Sequence, residues 1–139
     1  MQLLIKNAKL RNQEALVDIA IDGGLIQAVG KDVGQQADRV IDAGGALVTP
    51  ALIDPHIHLD KVNIFDVVRK NESGTLKEAI EIIWDKKKTY TDEDVLERSS
   101  DVVYKALKNG TLFMRTHVDV DTIGGLKPLS GVAKLKEKF

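Results

Sequence analysis

The sequence predicts an α/β protein in which a strand-rich first part is followed by a parallel βαβ unit. Residues 1–49 consist of short apolar alternations separated by turn residues, which is typical of antiparallel strands. After Pro50, two segments with helical periodicity lie between two nearly continuous apolar runs, ALIDPHIHL and TLFMRTHVDVD. Because parallel strands need a long crossover connection, this order indicates a parallel sheet, and the continuous apolar runs predict strands that are buried on both faces. The sequence therefore predicts two domains, residues 1–49 and residues 50–139.

The first domain has the pattern of a β-meander, with the apolar segments LLIKNAKL, LVDIAID, LIQAVG and RVIDAGGALVT. The DGG turn between the second and third segments is a strong hairpin signal, because Asp-Gly pairs adopt the backbone of tight hairpin turns. Alternation in the second segment predicts one buried face and one face in contact with water. The buried set is Val17, Ile19 and Ile21, and the water-facing set is Asp18, Ala20 and Asp22.

Three helices are predicted in the second domain. The first begins at Thr75, where Glu78 follows at the spacing of a capping box. The second begins near Thr91 and ends at the Asn-Gly pair of residues 109–110, which is typical of a helix C-terminus. The last segment, PLSGVAKLKEKF, has the spacing of one further amphipathic helix. We expect the lysine triplet at residues 86–88 to be a solvated patch that complements the dipole of the first helix.

Composition excludes several classes of protein. The chain has no cysteine, so disulfides, thiolate nucleophiles and sulfur-ligated zinc are excluded. A net charge of −1 provides no general attraction to nucleic acid or anionic membranes. No apolar run approaches the roughly 20 residues that span a bilayer, and the N-terminus lacks the apolar core of a signal peptide. We therefore expect a cytoplasmic protein whose partners are neither nucleic acid nor membrane.

The two histidines of the segment DPHIHLDK are the candidate metal ligands. On an extended strand, residues His56 and His58 project to the same side, so their imidazoles can converge on one cation. In a (β/α)8 barrel they would lie at the C-terminal end of a strand, where active sites are built. The alternative is a pair of ordinary histidines near a strand end, because His-x-His is a short pattern that also arises by chance.

A second polar set follows the second apolar run. Residues Arg115, His117 and Asp119 alternate with apolar or small residues and therefore share one face of the predicted strand. The interior of a parallel sheet accommodates adjacent polar side chains poorly unless they form a network or bind a substrate. The alternative is an internal Arg115–Asp119 ion pair that stiffens the strand.

Together, LVTPALIDPHIHLDK, two helices and NGTLFMRTHVDVD resemble the N-terminal part of the amidohydrolase superfamily, in particular its cytosine deaminase-like branch. The resemblance covers essentially the whole chain, and HxHLDK followed by RTHVD is its most specific part. It implies the N-terminal part of a small β-sandwich followed by the first βα units of an incomplete (β/α)8 TIM-type barrel.

The resemblance also implies a chemistry and roles for particular residues. His56 and His58 would bind a catalytic divalent metal, iron or zinc. Four further residues would line the substrate pocket or support the ligands: Asp60, Arg115, His117 and Asp119. In the family, metal-activated water hydrolyses a C–N bond of a nitrogen heterocycle, so the expected substrate of the complete enzyme is an aminopyrimidine or a triazine.

The family's third metal-binding histidine, its glutamate acid–base and its metal-binding aspartate match no residue of this sequence. A complete barrel takes about 250 residues, so only its first two strands and their helices are expected here. No catalytic acid or base is identified, and two histidines would hold a metal weakly. We expect an N-terminal fragment that is inactive alone and forms homo-oligomers or binds a complementing chain. The alternatives are a non-catalytic interaction module and a triazine alkylamine hydrolase of the same superfamily.

Overall fold

The computed structural model describes residues 1–34 and 36–139, which form two compact units, Met1–Pro50 and Ala51–Phe139. The first unit contains five strands: β1 Leu3–Leu10, β2 Val17–Asp22, β3 Leu25–Gly30, β4 Arg39–Asp42 and β5 Leu47–Val48. Their order is β3-β2-β1-β4, and β5 also pairs with β1.

The meander is confirmed for β1, β2 and β3, which pair in an antiparallel manner. It is wrong for β4 and β5, because both pair with β1 in the parallel direction. Both can pair with the same strand because β1 is irregular between Ile5 and Ala8, where Asn7 adopts a φ of 53°. The part of β1 before this bulge pairs with β4, and the part after it pairs with β5.

Strand β2 is buried on both faces. Val17 and Ile19 form a cluster with Ala8, as the alternation predicted. The prediction that the opposite face contacts water is wrong for Asp18 and Ala20, which are also buried. Asp18 accepts a hydrogen bond from the backbone N–H of Asn7 at 3.0 Å, so the bulge of β1 satisfies its carboxylate.

The second unit is a two-stranded parallel sheet with helices and has the predicted βαβ order, which confirms the α/β class. Strands β6 Leu52–Ile57 and β7 Thr111–Thr116 pair with each other, and their extension into a barrel stays a prediction. The helices are α1 Leu76–Lys87, α2 Asp92–Lys108, α3 Lys127–Ala133 and α4 Leu135–Lys138, and two 3-10 turns span Leu59–Lys61 and Phe65–Val67. None of the helices in the described ranges is both long and apolar enough to cross a membrane.

The predicted starts of α1 and α2 are confirmed. The Thr75 hydroxyl accepts the Glu78 N–H at 3.3 Å, and the Thr91 hydroxyl accepts the Asp94 N–H at 3.1 Å. These hydroxyls satisfy backbone donors that have no partner within the helix. Helix α2 ends at Lys108 and is capped by Asn109, which confirms the predicted C-terminus.

The C-terminal segment forms two short helices that meet at Lys134, rather than the single predicted helix. Val132 and Leu135 are buried in the core of the second unit, whereas Leu129 and Phe139 are about half exposed. The core also contains Leu59, Tyr90 and Val95, so helices α2, α3 and α4 pack around the turn that follows β6.

Both strands of the parallel sheet are more exposed than their apolar sequences predict. The exposed fractions are 56% for Leu52, 67% for Ile53, 60% for Leu112 and 62% for Phe113. The prediction of strands buried on both faces is therefore wrong for this chain. Such burial needs neighbouring strands and helices on both sides, and in the described ranges each strand pairs only with the other.

Changing Gly131 to alanine should destabilise the packing of α3 on α2. A Cβ at this position would lie 2.6 Å from Val95 Cβ and 2.9 Å from the Asp92 carbonyl oxygen. Overpacking of this kind costs about 1–3 kcal/mol, which outweighs the roughly 1 kcal/mol gain in helix propensity. Chemical denaturation of Gly131→Ala measures the loss, and Glu97→Ala on the exposed face of α2 is the control. Equal stability of Gly131→Ala and wild type would contradict this account of the helix contact.

Candidate metal centre

Three histidines meet at one edge of the parallel sheet. His56 lies in β6, His58 follows that strand, and His117 follows β7. Because the strands run in the same direction, their C-terminal ends lie side by side, and the His117 N–H donates to the Ile57 carbonyl at 2.7 Å. The ring centroids are 5.5 Å apart for His56 and His58, 4.2 Å for His56 and His117, and 5.6 Å for His58 and His117. Two residues predicted as ligands and one predicted as a pocket residue therefore form one cluster.

Helix α2 holds the backbone of the turn that carries His58. The Ser99 hydroxyl donates to the Leu59 carbonyl at 2.8 Å. The Arg98 guanidinium donates to the carbonyls of Val62 at 2.7 Å and Asp60 at 3.3 Å. The sequence interpretation did not identify Arg98 or Ser99 as part of the site. The signal that could have found them is a run of polar residues within the apolar stripe of α2.

Two buried atoms in this turn, His58 Nδ1 and Asp60 Oδ1, have no hydrogen-bond partner among the described residues. They lie 3.8 Å apart, and the Asp60 side chain is fully buried. The other oxygen of Asp60, Oδ2, accepts the backbone N–H of Asp119 at 3.2 Å. A potential donor and a potential acceptor therefore face each other, just beyond hydrogen-bond distance, directly behind the histidine cluster.

Two lysines neutralise the carboxylates that follow β7. Lys61 Nζ lies 2.7 Å from Asp119 Oδ2, and Lys87 Nζ lies 3.2 Å from the same oxygen and also pairs with Asp121 Oδ2. The predicted solvated lysine triplet is wrong at its centre, because the Lys87 side chain is only 1% exposed whereas Lys88 is 63% exposed. Helix α1 turns position 87 toward the strand ends, where the two aspartates offset the cost of burying an ammonium group.

These contacts also separate Asp119 from Arg115. Hydrogen bonds from Lys61, and then from Lys87, hold the pKa of the Asp119 carboxyl below its ordinary value. No ion pair joins Arg115 to Asp119 in the ranges 1–34 and 36–139, so the alternative of an internal pair on this strand is wrong. Arg115 is exposed on β7. The other five predicted site residues lie together: His56, His58, Asp60, His117 and Asp119.

The side-chain chemistry of the cluster suits metal coordination. Desolvation, and then the neighbouring His56, Arg115 and His58, lower the pKa of His117 below its ordinary value. His117 is therefore neutral at neutral pH, which keeps charge repulsion between the rings low. Imidazole nitrogens and carboxylate oxygens are the donors that zinc and iron accept. However, no three histidine, aspartate or glutamate side chains in the described residues have the arrangement of a complete metal site. The side chains present are of the types that bind a divalent metal. In this arrangement they form only part of a metal site.

Known proteins resemble this chain in both sequence and structure. The model of the amidohydrolase family matches residues 39–134, which is more than half of the chain. The chain belongs to the amidohydrolase family. The predicted resemblance is thereby confirmed.

Individual relatives match this amidohydrolase chain along almost its whole length. It is 31% identical to the N-isopropylammelide isopropyl amidohydrolase of Pseudomonas sp. (strain ADP), over 99% of this chain and 35% of the relative. The solved structure of 5-methylcytosine deaminase from Klebsiella pneumoniae superposes with a TM-score of 0.85 and 36% identity, over 97% of this chain and 33% of that one. The solved structure of the N-isopropylammelide isopropylaminohydrolase of Burkholderia multivorans ATCC 17616 superposes with a TM-score of 0.80 and 29% identity, over 99% of this chain and 35% of that one. The chain spans about a third of the length of these relatives.

Proposed function

We propose that this chain is the N-terminal part of a metal-dependent amidohydrolase that hydrolyses a C–N bond of a nitrogen heterocycle. The observation that carries the proposal is the meeting of His56, His58 and His117 at the shared C-terminal edge of two parallel strands. This edge is where active sites of parallel α/β folds lie. In this proposal residues 1–49 belong to a composite β-sandwich, and residues 50–139 supply the first two strands of the barrel.

His56 and His58 are the residues that would hold the metal, either iron or zinc. A bound divalent metal supplies a water molecule whose pKa is lowered toward neutrality. Asp60 orients His58: a proton on His58 Nδ1 would be directed at the Asp60 oxygen 3.8 Å away, leaving Nε2 as the ligand atom. In the complete barrel His117 and Asp119 would lie beside these ligands at the substrate pocket, whereas Arg115 is exposed on β7 in this structure.

The expected substrate is an aminopyrimidine or a triazine. The similar Klebsiella enzyme is a 5-methylcytosine deaminase whose structure contains 5-fluorocytosine, and the similar Pseudomonas and Burkholderia enzymes are named for N-isopropylammelide. Both classes present a ring carbon that carries an amine leaving group. The two reactions differ in their product, because deamination of an aminopyrimidine releases ammonia and hydrolysis of an alkylamino-triazine releases an alkylamine.

Replacing either proposed ligand by alanine should weaken metal binding. Wild-type protein should bind up to one Zn²⁺ or Co²⁺ ion per chain, and His56→Ala or His58→Ala should weaken binding by about tenfold or more, since each removes a ligating nitrogen. Equilibrium dialysis with metal analysis measures this affinity. Glu97→Gln, an exposed change on α2, is the control. If both histidine variants bound metal as tightly as the control, the proposed ligands would be wrong.

The purified 139-residue chain should not turn over cytosine or N-isopropylammelide, even with added iron or zinc. The physical reason is that two ligands hold a metal weakly and that no proton donor or acceptor is assigned in the chain. A chimera that continues from Phe139 into the remaining part of the Klebsiella enzyme should release ammonia from 5-methylcytosine, and His56→Ala should abolish this release. Ammonia and isopropylamine assays measure both products. Rapid turnover by the isolated chain, or a folded and active chimera that tolerates His56→Ala, would contradict the proposal.

A second candidate function, self-association through the exposed parallel sheet, is favoured by the apolar residues of β6 and β7. A groove of about 830 Å³ adjoins β7, and its apolar lining includes Leu107, Leu112, Met114, Leu129 and Phe139. Open strand edges and apolar faces of this kind promote pairing with another copy of the chain.

Sedimentation velocity at micromolar concentration should therefore show dimers or larger species. Leu112→Lys should shift the population toward monomer, because it places a charge in the apolar lining of this groove, at a position that is 60% exposed on β7. The same change at Phe65, which is 82% exposed on a 3-10 turn, is the matched control. His56→Ala with His58→Ala should leave assembly unchanged, which separates this function from metal binding. A stable monomer at all concentrations would exclude it.

A further inference from the structure

We propose that Lys87 is a positioning residue for the histidine cluster: through Asp119 and Asp121 it holds the segment after β7 so that one oxygen of Asp119 faces His58. The role assigned to His58 rests on the proposed function. Lys87 lies at the end of α1, in the lysine triplet that the sequence predicts to be solvated. Its importance follows from its burial and from the partners that its ammonium group contacts.

Lys87 is a buried cation with two anionic partners. Its side chain is 1% exposed, and its ammonium group donates to Asp119 Oδ2 at 3.2 Å and to Asp121 Oδ2. Burial lowers the pKa of Lys87, but hydrogen bonds to Asp121 and Asp119 outweigh this effect and raise it above its ordinary value. Lys87 is therefore charged at neutral pH, and its partners are held in place because an unpaired buried charge is costly.

The two oxygens of Asp119 have different surroundings. Oδ2 accepts from both Lys61 and Lys87, whereas Oδ1 lies 3.9 Å from His58 Nδ1. Two ammonium groups on one oxygen fix the orientation of the carboxylate, so the other oxygen stays directed at the histidine. Asp119 and the buried Asp60 then flank the same nitrogen of His58.

Lys87 also holds the turn that follows Asp119. Asp121 Oδ1 accepts the N–H groups of Ile123 at 2.9 Å and Gly124 at 2.7 Å, while Asp121 Oδ2 accepts from Lys87. A Cβ at Gly124 would lie 3.4 Å from Lys87 Cδ, so the aliphatic part of the lysine packs against this turn. Loss of the ammonium group would loosen the turn and Asp119 together.

The test compares Lys87→Met, which keeps the side-chain volume but removes the charge, with Lys88→Met at the exposed end of the same helix. Both are studied without metal by amide hydrogen exchange and by ¹⁵N NMR of the imidazole rings. In Lys87→Met, exchange at Ile123 and Gly124 should accelerate by about tenfold or more relative to Val95, as expected when a hydrogen bond to a charged group is lost. The His58 ring resonances should shift, and Lys88→Met should resemble wild type.

Asp119→Asn keeps Lys87 and its bond to Asp121. It separately tests the contact between Asp119 and His58. It should shift the His58 resonances while exchange at Ile123 and Gly124 stays close to wild type. If Lys87→Met does not fold, Asp119→Asn tests the proposal by itself. Unchanged His58 resonances in Asp119→Asn would then overturn the proposal. If Lys87→Met folds with a lower melting temperature but with unchanged His58 resonances, Lys87 is only a structural residue and the proposal is wrong.

These measurements are independent of the proposed function. Failure of His56→Ala and His58→Ala to weaken metal binding would remove the metal site but leave the effect of Lys87 on His58 intact. Conversely, normal His58 resonances in Lys87→Met, together with metal binding that depends on His56 and His58, would overturn only the positioning role.

Discussion

The parallel pairing of β6 and β7 is the constraint on which the candidate site depends. It places the C-terminal ends of two strands, which are distant in sequence, at one edge of the sheet. His58 and His117 thereby become neighbours, and Asp119 reaches the turn that contains Asp60. If the strands ran in opposite directions, these residues would lie at opposite ends of the sheet.

The helices supply hydrogen-bond partners for the polar groups at this edge of the sheet. A turn with several polar groups can be buried only if those groups find partners. Helix α2 supplies Arg98 and Ser99 to the carbonyls of the turn, and α1 supplies Lys87 to the aspartates after β7. Within the described part of the chain, the buried atoms His58 Nδ1 and Asp60 Oδ1 stay unpaired at the centre of this network. Unsatisfied buried groups of this kind are frequent at functional sites, which agrees with the proposed metal site.

Local patterns made much of the fold predictable. The hairpin turn, the threonine caps of α1 and α2 and the buried Val17 and Ile19 face of β2 depend on residues within a few positions of one another. The parallel pairing of β4 with β1 was not predictable in this way, because it depends on a bulge and on contacts distant in sequence. The inward direction of Lys87 was missed for the same reason: its aspartate partners lie on another element, 32 and 34 positions away.

The sequence by itself determined which residues are chemically able to bind a metal and which strands carry them, because residue type and two-residue spacing are local properties. It also determined the family, through HxHLDK and RTHVD in their order along the chain. Only the tertiary structure decided that His117 joins His56 and His58, that Asp119 binds lysines rather than Arg115, and that Lys87 is buried. These relations depend on how helices and strands pack, and packing joins residues whose separation in sequence carries no information about their distance in space.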